Sequence, residues 1–262
     1  MYKKMMRHMT LITYLIMIFI NGLSIILPIN NIGIDEISEL YDNLFIPAGF
    51  TFSIWGLIYI LLGVYIVFQY KNMNSKNESI ITSVNKRFIL TSIANVLWIL
   101  CWHYDKILLS FFLMIIILMC LGSVIISLNR EHVSKRENWF ITLPFSVYFG
   151  WITVATITNA TALFISIGVE GFSPIAPVIT ILIIIIGLII GLITTYKFKL
   201  MGYGIVIIWA YLGILIRHIS KMGFNALYPE VIVATVVSII IMIGLETVLL
   251  ISVIKEMKND VE

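Results

Sequence analysis

The chain has 262 residues, of which 60% are hydrophobic and only 12% charged, with a mean hydropathy of +1.05 and a formal net charge of +3. Soluble domains run at about 45–50% apolar and about 25% charged residues. A water-soluble fold is therefore excluded, and too little charged surface remains for a soluble domain outside a bilayer. The composition predicts an all-α integral membrane protein whose first partner is the lipid bilayer.

A membrane-crossing helix needs about 20 apolar residues, within a range of about 17–25. Eight stretches qualify, at 9–29, 50–70, 87–104, 107–128, 139–165, 175–196, 200–218 and 230–254. The first follows Lys3, Lys4 and Arg7, an arrangement shared with signal peptides. No small-x-small cleavage site follows it cleanly, so it is read as an uncleaved helix.

The segment from Asn30 to Ile46 carries Asp35, Glu36, Glu39 and Asp42 and no Lys or Arg. Ile34, Ile37, Leu40 and Leu44 recur near helical spacing, which predicts either a short amphipathic helix over the end of the bundle or a solvated loop. Pro47 and Gly49 close this segment, and the second span is expected to begin near Phe50. Trp55 and Tyr59 lie one turn apart on it. An aromatic belt accounts for Phe50 and Trp55, but a phenol at the depth of Tyr59 needs a hydrogen-bond partner.

The polar, Asn- and Ser-rich stretch 71–86 reads as a linker. The third span carries Asn95, Trp98 and Trp102 at offsets of three, four and seven. Lipid tails offer an amide no hydrogen bond, so Asn95 must face protein. The fifth span carries Tyr148, Trp151, Ala155 and Asn159 on one face, with Pro144 expected to kink its first half. For either asparagine, an interhelical packing bond and a ligand contact are compatible readings. Cys101 and Cys120 have no metal-type spacing and read as small apolar residues.

The sixth span has Gly187 and Gly191 in a small-xxx-small frame, a packing signal. The seventh contains Trp209 and Tyr211 and ends at Arg217 and His218. The eighth carries Glu246, two to three turns from its end, an intramembrane carboxylate with two readings: a snorkelling or lysine-paired residue, or a functional group.

Positive charge orients the spans. With an inner N-terminus, 14 of the 17 Lys and Arg residues fall inside, and only Lys106, Arg217 and Lys221 fall outside. The expectation is a multi-pass protein of the cell membrane with both termini cytoplasmic. Topology accounts for the basic residues, so no nucleic-acid partner is expected. The three aromatic and amide faces then fall in the outer half of the membrane, beneath the acidic loop, and predict an intramembrane pocket.

The residues of these faces resemble the TspO/MBR family, the tryptophan-rich sensory proteins related to the translocator protein. That family's second helix follows a proline pair with W-V-F-G-P-V-W-T-x-L-Y, a frame in which Pro47, Trp55 and Tyr59 fall. Its third-helix L-N-x-x-W is matched at Asn95 and Trp98, and its fifth-helix P-Y-L-x-W-V-x-F-A-x-x-L-N at Tyr148, Trp151, Ala155 and Asn159. The chain departs from the pattern at Gly49, at Phe52 and Ser53, and at Val147.

The motifs lie within residues 9–165. The resemblance implies a TspO-like five-helix bundle over 1–170, with three additional helices over 171–262. It implies binding of porphyrins or similar flat apolar molecules, with Trp55, Tyr59, Asn95, Trp98, Tyr148, Trp151, Ala155 and Asn159 as lining residues. Protoporphyrin IX or haem is then a ligand, and no cofactor is required. Family members often dimerise, which leaves a homodimer open here. The alternative is a proton-coupled secondary transporter using Glu246 and the asparagine-lined cavity. The sequence holds no metal set, nucleophile elbow or paired carboxylates at usable spacing, so an enzyme is not expected. Its four histidines are scattered at His8, His103, His132 and His218.

Overall fold

The computed structural model describes residues 2–27, 29–31, 40–71, 78–131 and 134–259. The protein is all-helical, and eight of the described helices are long and apolar enough to cross a membrane. They are α1 (Tyr2–Ile26), α2 (Ile54–Lys71), α3 (Glu78–His103), α4 (Ile107–Arg130), α5 (Leu143–Ser166), α6 (Ala176–Phe198), α7 (Met201–Ile219) and α8 (Pro229–Asn259). Two compact units divide the chain. Unit 1 comprises residues 1–42 and 55–169; unit 2 comprises residues 43–54 and 170–262.

In unit 1, α3 packs against both α1 and α4, and α4 packs against α5. Helices α1 and α3 begin well before their apolar stretches because polar groups at that end satisfy one another. Lys3 Nζ lies 2.9 Å from Glu78 Oε2, and the buried Arg7 reaches Glu78 Oε1 at 3.6 Å. Deeper in, Tyr65 donates to Asn85 Oδ1 at 2.5 Å and Asn85 Nδ2 donates to Gln69 Oε1 at 2.7 Å.

Helix α2 is held differently. Its backbone approaches no neighbour as closely as the pairs above approach one another. Large rings fill the gap instead. Tyr65 packs edge-on against Phe145 at 5.0 Å, and Phe68 stacks on Phe140 at 5.1 Å. The Tyr14 hydroxyl lies over Gly63 and donates to the Tyr59 carbonyl at 2.7 Å.

Pro144 shapes the start of α5. A proline has no N–H and its ring collides with the carbonyl four residues back, which here is Phe140. The backbone answers with a π-helical turn over Asn138–Thr142, and regular α-helix resumes at Leu143. The proline is thus absorbed by a wide turn just before it.

In unit 2, α6, α7 and α8 pack pairwise. Lys199 adopts a left-handed φ of 51° to end α6, and Leu200 N closes the turn onto Thr195 O at 3.1 Å. Gly191 serves the packing role its spacing suggests: a Cβ there would touch Ile207 of α7 at 3.4 Å and Met242 of α8 at 3.5 Å. The strap 43–54 lies on α7. Ala48 N donates to Gly213 O at 3.0 Å, Trp209 Nε1 donates to Thr51 O at 3.0 Å, and Phe50 meets Trp209 edge-on at 5.5 Å. Gly213 is required for this approach, because a Cβ would fall 2.1 Å from Thr51 Oγ1.

Two local expectations need restating. The second span begins at Gly49 as a short 3-10 turn to Ser53, and α-helix starts only at Ile54. The amphipathic helix expected within 30–46 falls mostly on residues 32–39, outside the described residues.

Candidate functional site

Five of the sequence-selected side chains meet in unit 1: Trp55 and Tyr59 from the first turns of α2, Trp98 from near the end of α3, and Tyr148 and Trp151 from the first half of α5. Trp55 is the hub. It stacks with Tyr59 at 5.6 Å and leans on Trp98 at 6.2 Å. Tyr148 and Trp151 of α5 present their edges to it at 6.0 and 6.2 Å. Edge-to-face and offset stacks are the favourable aromatic geometries, so the rings hold one another in place. Trp98, Tyr148 and Trp151 are buried, while Trp55 and Tyr59 are half-buried.

The two asparagines sit behind the rings. Asn159 Oδ1 accepts from Trp98 Nε1 at 3.3 Å and from Ser110 Oγ of α4 at 2.7 Å, and its Nδ2 donates to Ala155 O at 3.2 Å. Asn95 Oδ1 accepts from Asn21 Nδ2 of α1 at 2.7 Å. Both residues therefore make the interhelical bonds that a buried amide requires. Two donors remain without a protein acceptor: Asn95 Nδ2 and the Tyr148 hydroxyl, both fully buried. Each has no partner at bonding geometry, although Asn95 is close enough to act on the phenol. Ala155 joins the group through its carbonyl, and its side chain is only partly buried.

Several participants escaped sequence reading. Asn21 and Ser110 are the amide and hydroxyl partners just described. Trp102, which helical spacing already placed on the face of Asn95 and Trp98, is buried and stacks on Trp98 at 6.4 Å. Tyr41, from the segment after α1, covers Trp102 at 5.9 Å and donates a hydrogen bond to Asp105. Burial, and then Asp105, push the Tyr41 phenol up to about 12. Asn30 Nδ2 donates to His103 O at 3.1 Å, so this segment crosses the end of α3 at two points. An isolated Asn and Ser in apolar spans were the available signals for Asn21 and Ser110; their partners could not be read from one helix.

Chemically the cluster offers aromatic faces, neutral amides and phenols. Among the described residues no group of three His, Cys, Asp or Glu side chains could hold a metal ion. Glu246 belongs to unit 2, on α8.

Fold and composition together define a multi-pass helical membrane protein. A family model described as TSPO-like protein matches residues 7–249, and the chain belongs to that family, a divergent TspO/MBR-type member with additional helices. The match runs well past residue 165, where the recognisable motifs end, and takes in most of unit 2. Membership assigns a general ligand-sensing or transport role and a non-catalytic class. No curated protein and no solved structure matches the chain.

Proposed function

We propose that the Trp55-centred cluster of unit 1 binds flat, apolar metabolites of the tetrapyrrole type, for sensing or transport. The observation that carries this reading is the pair of buried donors, Asn95 Nδ2 and Tyr148 OH, which have no protein neighbour to bond beyond each other and sit behind a wall of indole rings. Such donors cost free energy in an apolar interior unless something accepts from them. A planar macrocycle would take the ring faces, and its polar edge would take the donors. Trp55, Tyr59, Asn95, Trp98, Tyr148, Trp151, Ala155 and Asn159 are the lining residues of this proposal.

Helix α2 supports the same reading. It carries the two half-buried rings and stands off its neighbours, so its side of the cluster is where a ligand would enter. Residues 1–170 would supply the binding bundle and 171–262 a three-helix extension. The charge distribution, 14 Lys and Arg against 3, supports cytoplasmic termini in the cell membrane.

The test is a titration of purified protein with protoporphyrin IX and with haem, following quenching of tryptophan fluorescence beside a Trp98→Phe/Trp151→Phe variant. Saturable binding is expected, weakened about tenfold in the variant, equivalent to about 1.4 kcal/mol. A folded protein that binds neither compound saturably would defeat the proposal.

A further inference from the structure

Unit 2 buries a carboxylate that has no counter-charge among the described residues. Glu246 of α8 is 9% exposed, and neither of its oxygens has a hydrogen-bond partner. The carboxylate is pressed against α7 at Gly204. A Cβ at that position would lie 1.8 Å from Glu246 Oε1 and 3.0 Å from Thr195 Cγ2 of α6. The missing side chain at 204 therefore makes the space, and Thr195 closes it from the third helix.

Thr195 is itself unusual. Buried threonines in apolar helices return their hydroxyls to a carbonyl one turn back, as Thr235 does to Val231 O at 2.7 Å. Thr195 is fully buried and its Oγ1 bonds to nothing. Two adjoining side chains from different helices thus keep their polar atoms unspent at one point.

Among the described residues the titratable and charged groups near this point are few; Tyr196 of α6 is exposed, and Tyr211 of α7 donates to Ile184 O at 2.7 Å. Tyr203 precedes Gly204 on α7, Lys197 and Lys199 end α6, and Lys255 lies further along α8. None bonds to Glu246, and all three lysines are exposed. No described lysine pairs with Glu246.

An unpaired carboxylate in such a setting costs several kcal/mol if charged, and the group neutralises instead. Two ligands could neutralise it. A hard metal cation takes about six or more oxygen ligands, and among the described residues no group of three His, Cys, Asp or Glu side chains could hold one. A proton needs a single oxygen. We propose that Glu246 is an intramembrane proton-binding site: it holds a proton while α6, α7 and α8 are packed as here, and releases it only when they part far enough to hydrate the carboxylate. Unit 2 is then a proton-responsive element, independent of the ligand cluster in unit 1.

Infrared difference spectroscopy of the full chain in lipid nanodiscs tests this directly. A protonated-carboxyl carbonyl band is expected at neutral pH, shifted in D2O, lost in alkali, unaffected by NaCl or KCl, and missing in Glu246→Gln. Labelling the wild type with 13C-glutamate must shift the band, which assigns it to glutamate without a substitution should the variant fail to fold. Absence of the band from folded wild type at neutral pH would overturn the proposal. So would its removal by either salt, which would make the ligand a metal cation.

Discussion

Each unit encloses polar atoms in apolar surroundings, and the two do so in opposite ways. Around the aromatic cluster of unit 1 the polar groups are neutral and shared: Asn21 serves Asn95, while Asn159 serves Trp98 and Ser110, so four helices are joined through amides. In unit 2 the polar group is a single ionisable side chain, faced by a glycine and a threonine that give it room and no bond. A neutral network leaves over individual donors, which a ligand can satisfy. A lone carboxylate leaves over a charge, which only a change of protonation can remove. On the two proposals made above, the same solvent problem suits one region to recognising a molecule and the other to recognising a proton.

The sharpest way to break this contrast is to fill the space at residue 204. Gly204→Val should destabilise the protein by about 3 kcal/mol, the upper end for overpacking, because its side chain collides with the Glu246 carboxylate. Unfolding in mixed micelles would measure it. Gly204→Val with Glu246→Ala should recover much of the loss, since the two positions share one volume.

Removing the hub of the amide network comes next. Asn159→Leu strips acceptors from both Trp98 and Ser110 and should cost about 2 kcal/mol, near the ceiling for interhelical hydrogen bonds. The same unfolding assay should show a smaller loss, about 1 kcal/mol, for Asn21→Ala, which abandons only the Asn95 acceptor. Equal losses at 159 and 21 would mean that the network is not organised around Asn159.

The smallest effect concerns the cover. Tyr41 lies outside the spans, and its phenol is raised from the ordinary 10 to about 12 by burial and by Asp105. Folding therefore favours the neutral phenol. That contribution is whole below pH 10 and is lost as pH rises through about 12. Melting temperature in this window should fall more steeply for wild type than for Tyr41→Phe. Parallel curves would show that Tyr41 is not the titrating group.

The helices were legible because their apolar stretches exceed what a soluble core needs, and all eight are present. Their ends were less so. The apolar run of α3 begins near residue 87, yet the helix starts at Glu78, because Arg7 and Lys3 neutralise that polar turn from a distant part of the chain. Helical spacing also showed which side chains share a face, as with Trp55 and Tyr59. It could not show which faces meet: the bond from Asn21 to Asn95 joins residues 74 positions apart. Pro47 to Tyr59 reads as one stretch of sequence, but the structure assigns its two halves to different units, because Gly213 draws residues 47–51 onto α7.

The π-helical turn at Asn138–Thr142 has a consequence for the phase of the fifth span. Such a turn spends one residue more than an α-helical turn for the same advance, so everything after it is rotated by about 100° relative to an uninterrupted helix. Tyr148, Trp151 and Asn159 all lie beyond it, while Phe140, which stacks on Phe68, lies within it. The azimuth of these three side chains is thus set independently of the side chains that fasten the other end of the helix. Loss of a single residue between 138 and 142 would restore regular winding and leave the two ends of this span in their present relative phase. Loss of one residue elsewhere in the span has no such reservoir to draw on.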